Sequence, residues 1–267
     1  MRPTAPDLAR LGVPDDGWTP VDVGESSALV LVHDDGDRYA KVVAADEVAE
    51  LARERDRLVW AAAHGIAVAE VLHWSSDDAG ACLTTSAVAG IPADRLEPHR
   101  VGAAWPHIVR AVRDLHETPT SGCPFDRGLR LMFGLATDVV ARDAVNPEFL
   151  RPEQEGQDPG ELLAGLATEL PPRLEQEDGD LVVCHGDLCL PNIVLDPESL
   201  EVVGYVDLGR LGLADRHADL SLLLANAQDT WPEHAALLGA GLASHYGHPV
   251  DAERLRFHLL LDPLTWG

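Results

Sequence analysis

Two periodicities divide the chain. From Trp18 the apolar residues come in short runs broken by turn residues: Val21 to Val23, Ala28 to His33 and Tyr39 to Val43, separated by Gly24-Glu25-Ser26-Ser27 and Asp34-Asp35-Gly36-Asp37. That alternation predicts an antiparallel meander. Asp46 to Ala63 then carries Val48, Leu51, Leu58, Val59 and Ala62 at helical spacing, which predicts a helix with one buried stripe. Val68 to Trp74 and Ala81 to Ser86 complete the sheet, and Ala87-Val88-Ala89-Gly90-Ile91-Pro92 leaves regular structure. Beyond it the spacing is helical: Val101, Trp105, Ile108, Val109, Val112 and Leu115 share a face, followed by Leu129 to Ala141, Glu161 to Leu170, Arg216 to Gln228, Glu233 to Tyr246 and Asp251 to Leu261. The expected class is α+β, with an antiparallel-sheet N-terminal lobe over residues 1–88 and a mainly helical C-terminal lobe over 89–267.

One β-like segment interrupts the helical half. Val182-Val183-Cys184 leads into the polar loop His185-Gly186-Asp187-Leu188-Cys189-Leu190-Pro191-Asn192, and Ile193 to Leu195 and Val202 to Val206 flank the turn residues Asp196-Pro197-Glu198-Ser199. The second part predicts a β-hairpin. Its open end brings Asn192 and Asp207 together, because paired strands run about 4.8 Å apart. Asp187 sits five residues before Asn192 in the same loop. Two carboxylates and an amide suit a hard cation such as Mg²⁺ held by oxygen, with one carboxylate left over as a base.

Composition narrows the field. The 267 residues are 46% apolar, enough for a full core. No N-terminal apolar leader and no charge-free run of about 18 apolar residues is present, so a cytoplasmic protein is expected. Cys82, Cys123, Cys184 and Cys189 lack a disulfide-scaffold spacing and fit reduced thiols. A formal charge of −25 argues against nucleic acid and anionic lipid as partners, and beside phosphotransfer chemistry it points to a cationic small molecule. Of the 20 basic residues 19 are arginine, and the remaining one is Lys41. A compact ammonium on a flexible stem is chemically distinct from a guanidinium, which makes that position a candidate.

Other chemistries fit the loop poorly. Cys184, His185 and Cys189 lack a second ligand pair for zinc, and no activating partner for a cysteine nucleophile is visible. Gly-x-x-x-x-Gly-Lys-Ser/Thr and Gly-x-Gly-x-x-Gly are both absent from the sequence, which excludes a P-loop and a dinucleotide fingerprint.

His185-Gly186-Asp187 with Asn192, followed by Asp207-Leu208-Gly209-Arg210, resembles the catalytic and metal-binding segments of the aminoglycoside phosphotransferase family. Cys123-Pro124-Phe125, Asn146-Pro147-Glu148-Phe149-Leu150, Ala214-Asp215-Arg216 and the closing Leu261-Asp262-Pro263-Leu264-Thr265-Trp266-Gly267 are similar to its streptomycin 3''-phosphotransferase branch. The resemblance implies a bilobal protein-kinase-like fold and transfer of phosphate from ATP or GTP, with Mg²⁺, to the 3''-hydroxyl of streptomycin. Another aminoglycoside, or a choline-like or sugar acceptor, remains the alternative within the superfamily, and a non-catalytic nucleotide-binding module the alternative outside it.

The resemblance also implies roles. Asp187 is the base and touches the acceptor, Asn192 and Asp207 hold the metal, and Ser26 and Lys41 meet the nucleotide phosphates. Tyr39 stacks on the base, and the backbone of Ser86 and Val88 bonds its edge. Spacing alone allows Glu47 or Glu54 as the Lys41 partner, and the family wording Arg53-Glu54-Arg55-Asp56 favours Glu54. The acidic stretch from Asn146 to Pro159, with Glu148, and the terminal Asp262 and Arg210 are the implied acceptor contacts. Asp219 is implied as a structural brace for the loop.

Overall fold

A computed structural model describes Leu11, residues 17–21 and residues 28–267. In chain order it forms β1 (Trp18–Pro20), β2 (Leu29–His33), β3 (Arg38–Ala44), α1 (Val48–Ala63), β4 (Val71–Asp77), β5 (Gly80–Ser86) and β6 (Ile91–Pro92). The helical half follows with α2 (Val101–His116), α3 (Leu129–Ala141) and α4 (Pro159–Glu177), then β7 (Leu181–Cys184), β8 (Ile193–Leu195), β9 (Val202–Tyr205) and β10 (Gly212–Asp215). It closes with α5 (Arg216–Thr230), α6 (Ala235–His245) and α7 (Ala252–Leu261).

Two compact units emerge, one of Met1–Pro92 with Asn192–Gly209 and one of Ala93–Pro191 with Arg210–Gly267. This division differs from a single boundary at residue 88. Strand β6 pairs antiparallel with β8, and β8 with β9, so the hairpin is bonded into the unit that holds the N-terminal sheet. A chain segment joins the sheet that satisfies its backbone N–H and C=O groups, whatever its place in sequence.

In the first unit five strands pair antiparallel in the order β1-β2-β3-β5-β4. The period of two puts Ala40 and Val42 of β3 into a core with Leu11, Leu31 and Cys82. Tyr39 and Lys41 therefore face the other way. In the second unit α3, α4 and α7 pack around Leu129, Met132, Ala136, Leu166, Phe257, Leu261 and Leu264. Each of these Leu, Met and Phe side chains, fully buried, contributes about 1.5–3 kcal/mol.

Three differences from the sequence reading have physical causes. Helix α4 runs on through Pro171 and Pro172 to Glu177 instead of stopping at Leu170. Leu174 packs on the helical core and Glu177 accepts the Leu129 N–H at 2.8 Å, which together outweigh the proline penalty. Strand β4 begins at Val71 rather than Val68, because Val68 instead bridges to Tyr205 of β9 and the Ala67 carbonyl accepts the Tyr205 N–H. Strand β10, paired with β7, was not expected at all, since Gly212-Leu213-Ala214-Asp215 lacks β-branched residues.

Candidate active site

The first unit assembles a charged cluster from β3, α1 and the hairpin. Lys41 Nζ donates to Glu54 Oε2 at 2.8 Å and lies 3.7 Å from Asp207 Oδ1. Glu54, at the flank of the α1 stripe, is thus the glutamate that takes the ammonium. Burial works against the Lys41 charge, but the Glu54 and Asp207 carboxylates outweigh it and raise its pKa. Glu54 is also shifted upward, by burial first and with Asp207 adding to it, against the opposing pull of Lys41. Both shifts have one origin, since two carboxylates share one ammonium in a poorly solvated corner. That corner carries an excess of negative charge.

The open end of the hairpin carries two oxygen-bearing side chains, Asn192 and Asp207. Ile193 opposes Tyr205 and Val194 opposes Gly204, and the Val206 N–H reaches the Asn192 carbonyl at 3.0 Å, so the pairing extends to the open end where Asn192 and Asp207 lie. Asp207 has φ of 59°, a left-handed backbone uncommon among non-glycine residues but better tolerated by Asp than by most. Its side chain stays half exposed.

In the second unit Asp187 lies in the loop after β7. The brace beneath that loop is Asp219 of α5, fully buried, which accepts the His185 N–H at 2.7 Å and the Gly186 N–H at 2.9 Å. Its Oδ2 also lies 3.1 Å from His116 Nε2, and His116 Nδ1 is 2.7 Å from the Tyr246 hydroxyl. Burial opposes the Asp219 charge, yet the His116 contact and the backbone donors hold its pKa below the usual range. Gly186 takes φ of 84°, and a Cβ there would meet the Arg210 carbonyl at 2.1 Å, so the loop needs glycine at that point. Further along, Asn226 Oδ1 accepts the Leu190 N–H at 2.8 Å. Neither His116 nor Asn226 is marked by sequence, because each acts from a helix far away in the chain.

Asp187 is partly buried, its backbone carbonyl accepts the Cys189 N–H, and its Oδ1 faces the Cys189 thiol at 3.7 Å. Burial and the Asp187 charge push the Cys189 thiol well up, and burial does the same to Cys184. Both stay protonated at neutral pH and are poor nucleophiles.

The remaining sequence candidates fall as follows. Ser26 lies outside the described residues. Tyr39 is 39% exposed on β3, opposite Thr85. Ser86 and Val88 are partly buried at and just beyond the end of β5. In the second unit Glu148 is exposed on a single 3-10 turn whose start Asn146 caps. Arg210 stacks its guanidinium on the Trp266 ring, Cζ to centroid 3.1 Å, and Asp262 Oδ2 accepts the Trp266 indole N–H at 3.2 Å. Asp262 Oδ1 also lies 3.9 Å from Arg127. The C-terminal segment therefore groups one carboxylate, one aromatic face and two guanidinium groups.

Sequence reading missed a second buried network. Asp215, 1% exposed at the start of α5, accepts from Arg254 Nε at 3.0 Å and lies 2.8 Å from His217 Nδ1, while Arg254 reaches on to Asp180. It ties β10, α5 and α7 together directly behind the brace.

Comparison with known proteins places this geometry. Residues 17–258 match the model of the phosphotransferase enzyme family known as APH. The chain is 56% identical over 252 residues to the streptomycin 3''-kinase of Streptomyces griseus, covering 94% of this chain and 93% of that protein. It is 38% identical to an aminoglycoside 3'-phosphotransferase of Streptomyces fradiae, covering 95% and 97% of the two chains. Among solved structures, aminoglycoside phosphotransferase APH(3'')-Id of Streptomyces rimosus, in complex with ADP and streptomycin, superposes with a TM-score of 0.90 at 52% identity over 97% of each chain.

Proposed function

This chain belongs to the phosphotransferase enzyme family, and on that premise we propose that it transfers the γ-phosphate of ATP to the 3''-hydroxyl of streptomycin, inactivating the antibiotic. The observation that carries the reading is the Lys41 ammonium held by Glu54 with Asp207 beside it, in a chain 56% identical to a streptomycin 3''-kinase. Identity to the 3'-phosphotransferase of Streptomyces fradiae is lower, 38% over a similar span, which favours streptomycin over a deoxystreptamine acceptor.

Phosphoryl transfer asks mainly for positioning and charge neutralisation. Asp187 orients the acceptor hydroxyl and takes its proton as the oxygen attacks phosphorus. The two N–H bonds into Asp219 fix the backbone of His185 and Gly186 immediately before it, so the base is aimed by buried scaffolding. Lys41 steadies the nucleotide phosphates, and Glu54 keeps the ammonium on its side of β3. Tyr39 and the backbone of Ser86 and Val88 bind the base, and Ser26 the phosphates. Glu148, Arg210 and Asp262 contact the acceptor, where carboxylates suit a cationic drug.

The donor set fits Mg²⁺: Asn192 and Asp207 offer hard oxygens at the hairpin's end, beside an excess of negative charge. When bound, Mg²⁺ would neutralise developing charge on the phosphate oxygens. Substrate, nucleotide and cysteines that form no disulfide suit a cytoplasmic enzyme; among the described residues no helix is long and apolar enough to cross a membrane.

The test is MgATP consumption against streptomycin, kanamycin and spectinomycin, with the product's phosphate located by NMR. Streptomycin-dependent turnover with phosphate on the 3''-oxygen is expected. Turnover with kanamycin and none with streptomycin would replace the substrate assignment.

A further inference from the structure

Trp266 has no role in the chemistry above, yet it meets three parts of the second unit that the proposed function turns toward the acceptor. Helix α7 ends at Leu261, and Asp262–Thr265 winds one 3-10 turn whose Thr265 hydroxyl donates to the Asp262 carbonyl at 2.7 Å. That turn brings the indole back to residue 262. Its N–H donates to Asp262 Oδ2 at 3.2 Å, and its ring carries the Arg210 guanidinium with Cζ 3.1 Å from the centroid. Phe149, beside Glu148, meets the same ring edge-on with centroids 5.4 Å apart, and the Trp266 carbonyl accepts the Asn146 N–H at 3.3 Å. One ring thus fixes a cation on its face and an anion at its edge.

The two oxygens of Asp262 are treated differently. The indole holds Oδ2, whereas Oδ1 lies 3.9 Å from Arg127 Nη2, beyond hydrogen-bond reach. Among the described residues no donor comes within hydrogen-bonding distance of Oδ1. The Asp262 side chain keeps 19% exposure, and it lines a cavity together with Gly186, the residue before the base. A carboxylate oxygen left in that state takes a charged donor best.

We infer that Trp266 is a positioning residue for acceptor recognition: its indole N–H ties down Asp262 Oδ2 and so presents Oδ1 to a cationic group of the acceptor. This rests on the proposed role of Asp262 as an acceptor contact and deepens it by naming what aims that carboxylate.

The chemistry sets the size of the effect. A hydrogen bond between a cation and a carboxylate changes affinity by about 10- to 100-fold, which is the ceiling for losing the contact outright. A carboxylate freed to turn still meets the cation part of the time, so about 3- to 30-fold is expected. Trp266→Phe keeps an aromatic face for Arg210 and Phe149 but has no N–H, which separates the edge bond from the stack.

The test is steady-state kinetics of wild type, Trp266→Phe, Asp262→Ala and the double variant, reading kcat, KM for ATP and KM for the aminoglycoside that supports turnover. Trp266→Phe is expected to raise the aminoglycoside KM about 3- to 30-fold with kcat and KM for ATP within about twofold, and to add nothing further in the Asp262→Ala background. Additive losses in the double variant, parallel rises in both KM values, or an unchanged aminoglycoside KM in Trp266→Phe while Asp262→Ala raises it would each overturn the inference and leave the Asp262 contact standing. A wild-type aminoglycoside KM in Asp262→Ala would remove that contact and the inference with it. Which aminoglycoside is used is read separately by the turnover panel.

Discussion

Replacing Asp219 by alanine removes the acceptor for two backbone donors at once. The His185 and Gly186 N–H groups sit 2.7 and 2.9 Å from its oxygens, inside a region where Asp219 and His185 are both 0% exposed, so water cannot take over. An orphaned buried donor costs about 1–3 kcal/mol, so the pair costs about 2–6 kcal/mol, and the stranded His116 adds to it. Against a typical total of about 5–15 kcal/mol this is a large share. Urea unfolding of Asp219→Ala beside wild type, followed by circular dichroism, reads the loss directly. Turnover per folded molecule, measured well below the unfolding midpoint, should fall as well, because the backbone ahead of Asp187 is no longer pinned. In His116→Phe/Asp219→Ala the loss should be smaller than the sum of the single losses, since His116 no longer remains as an orphan. A loss under about 1 kcal/mol in Asp219→Ala, or strict additivity in the double variant, would refute the bracing argument.

Other consequences follow from the same structure. Gly186→Ala places a Cβ 2.1 Å from the Arg210 carbonyl at a φ of 84° and should leave little active protein; turnover within twofold of wild type would show that the loop relaxes freely. Because burial holds the Glu54 pKa up, its charge at neutral pH costs stability, and the carboxyl contributes most when protonated at low pH, losing that contribution as pH rises through its raised pKa. Glu54→Gln should therefore melt within about 1 kcal/mol of wild type at pH 7 while its KM for ATP rises, and a KM for ATP equal to wild type would contradict the assigned pairing with Lys41. Burial raises and the histidine contacts more than offset it at Asp215, so its pKa lies below the usual range and its stabilisation is present above the ordinary carboxylate value and lost as pH falls toward the depressed one. Asp215→Asn should lose about 3–5 kcal/mol at pH 7 by leaving Arg254 partly unpaired, and should show a shallower decline in acid; parallel stability curves would exclude the pair as the source.

How much of this was legible beforehand depended on range. Lys41 stood out by composition, and the Asn192 and Asp207 ends of the hairpin by local strand and turn chemistry, both of which act over a few residues. The choice of Glu54 over Glu47 needed wording from relatives, because a seven-residue spacing puts both on one flank of the helix the sequence predicts, whereas Glu47 in fact sits at the N-cap of α1. The bracing roles of His116 and Asn226 and the buried pairing of Asp215 with Arg254 were invisible for the opposite reason: each bonds a partner more than 30 residues away, and no spacing rule reports that. The failure at β10 has the same origin, since its strand character comes from pairing with β7 and not from its own residues.

The first unit is woven from two stretches separated by the whole of Ala93–Pro191. During synthesis at about 5–20 residues per second, the ammonium at 41 emerges well ahead of the carboxylate at 207 and waits roughly 10–30 seconds for it. The N-terminal unit therefore cannot be completed before the hairpin is made, and a gene cut after Pro92 would encode a sheet deprived of its hairpin.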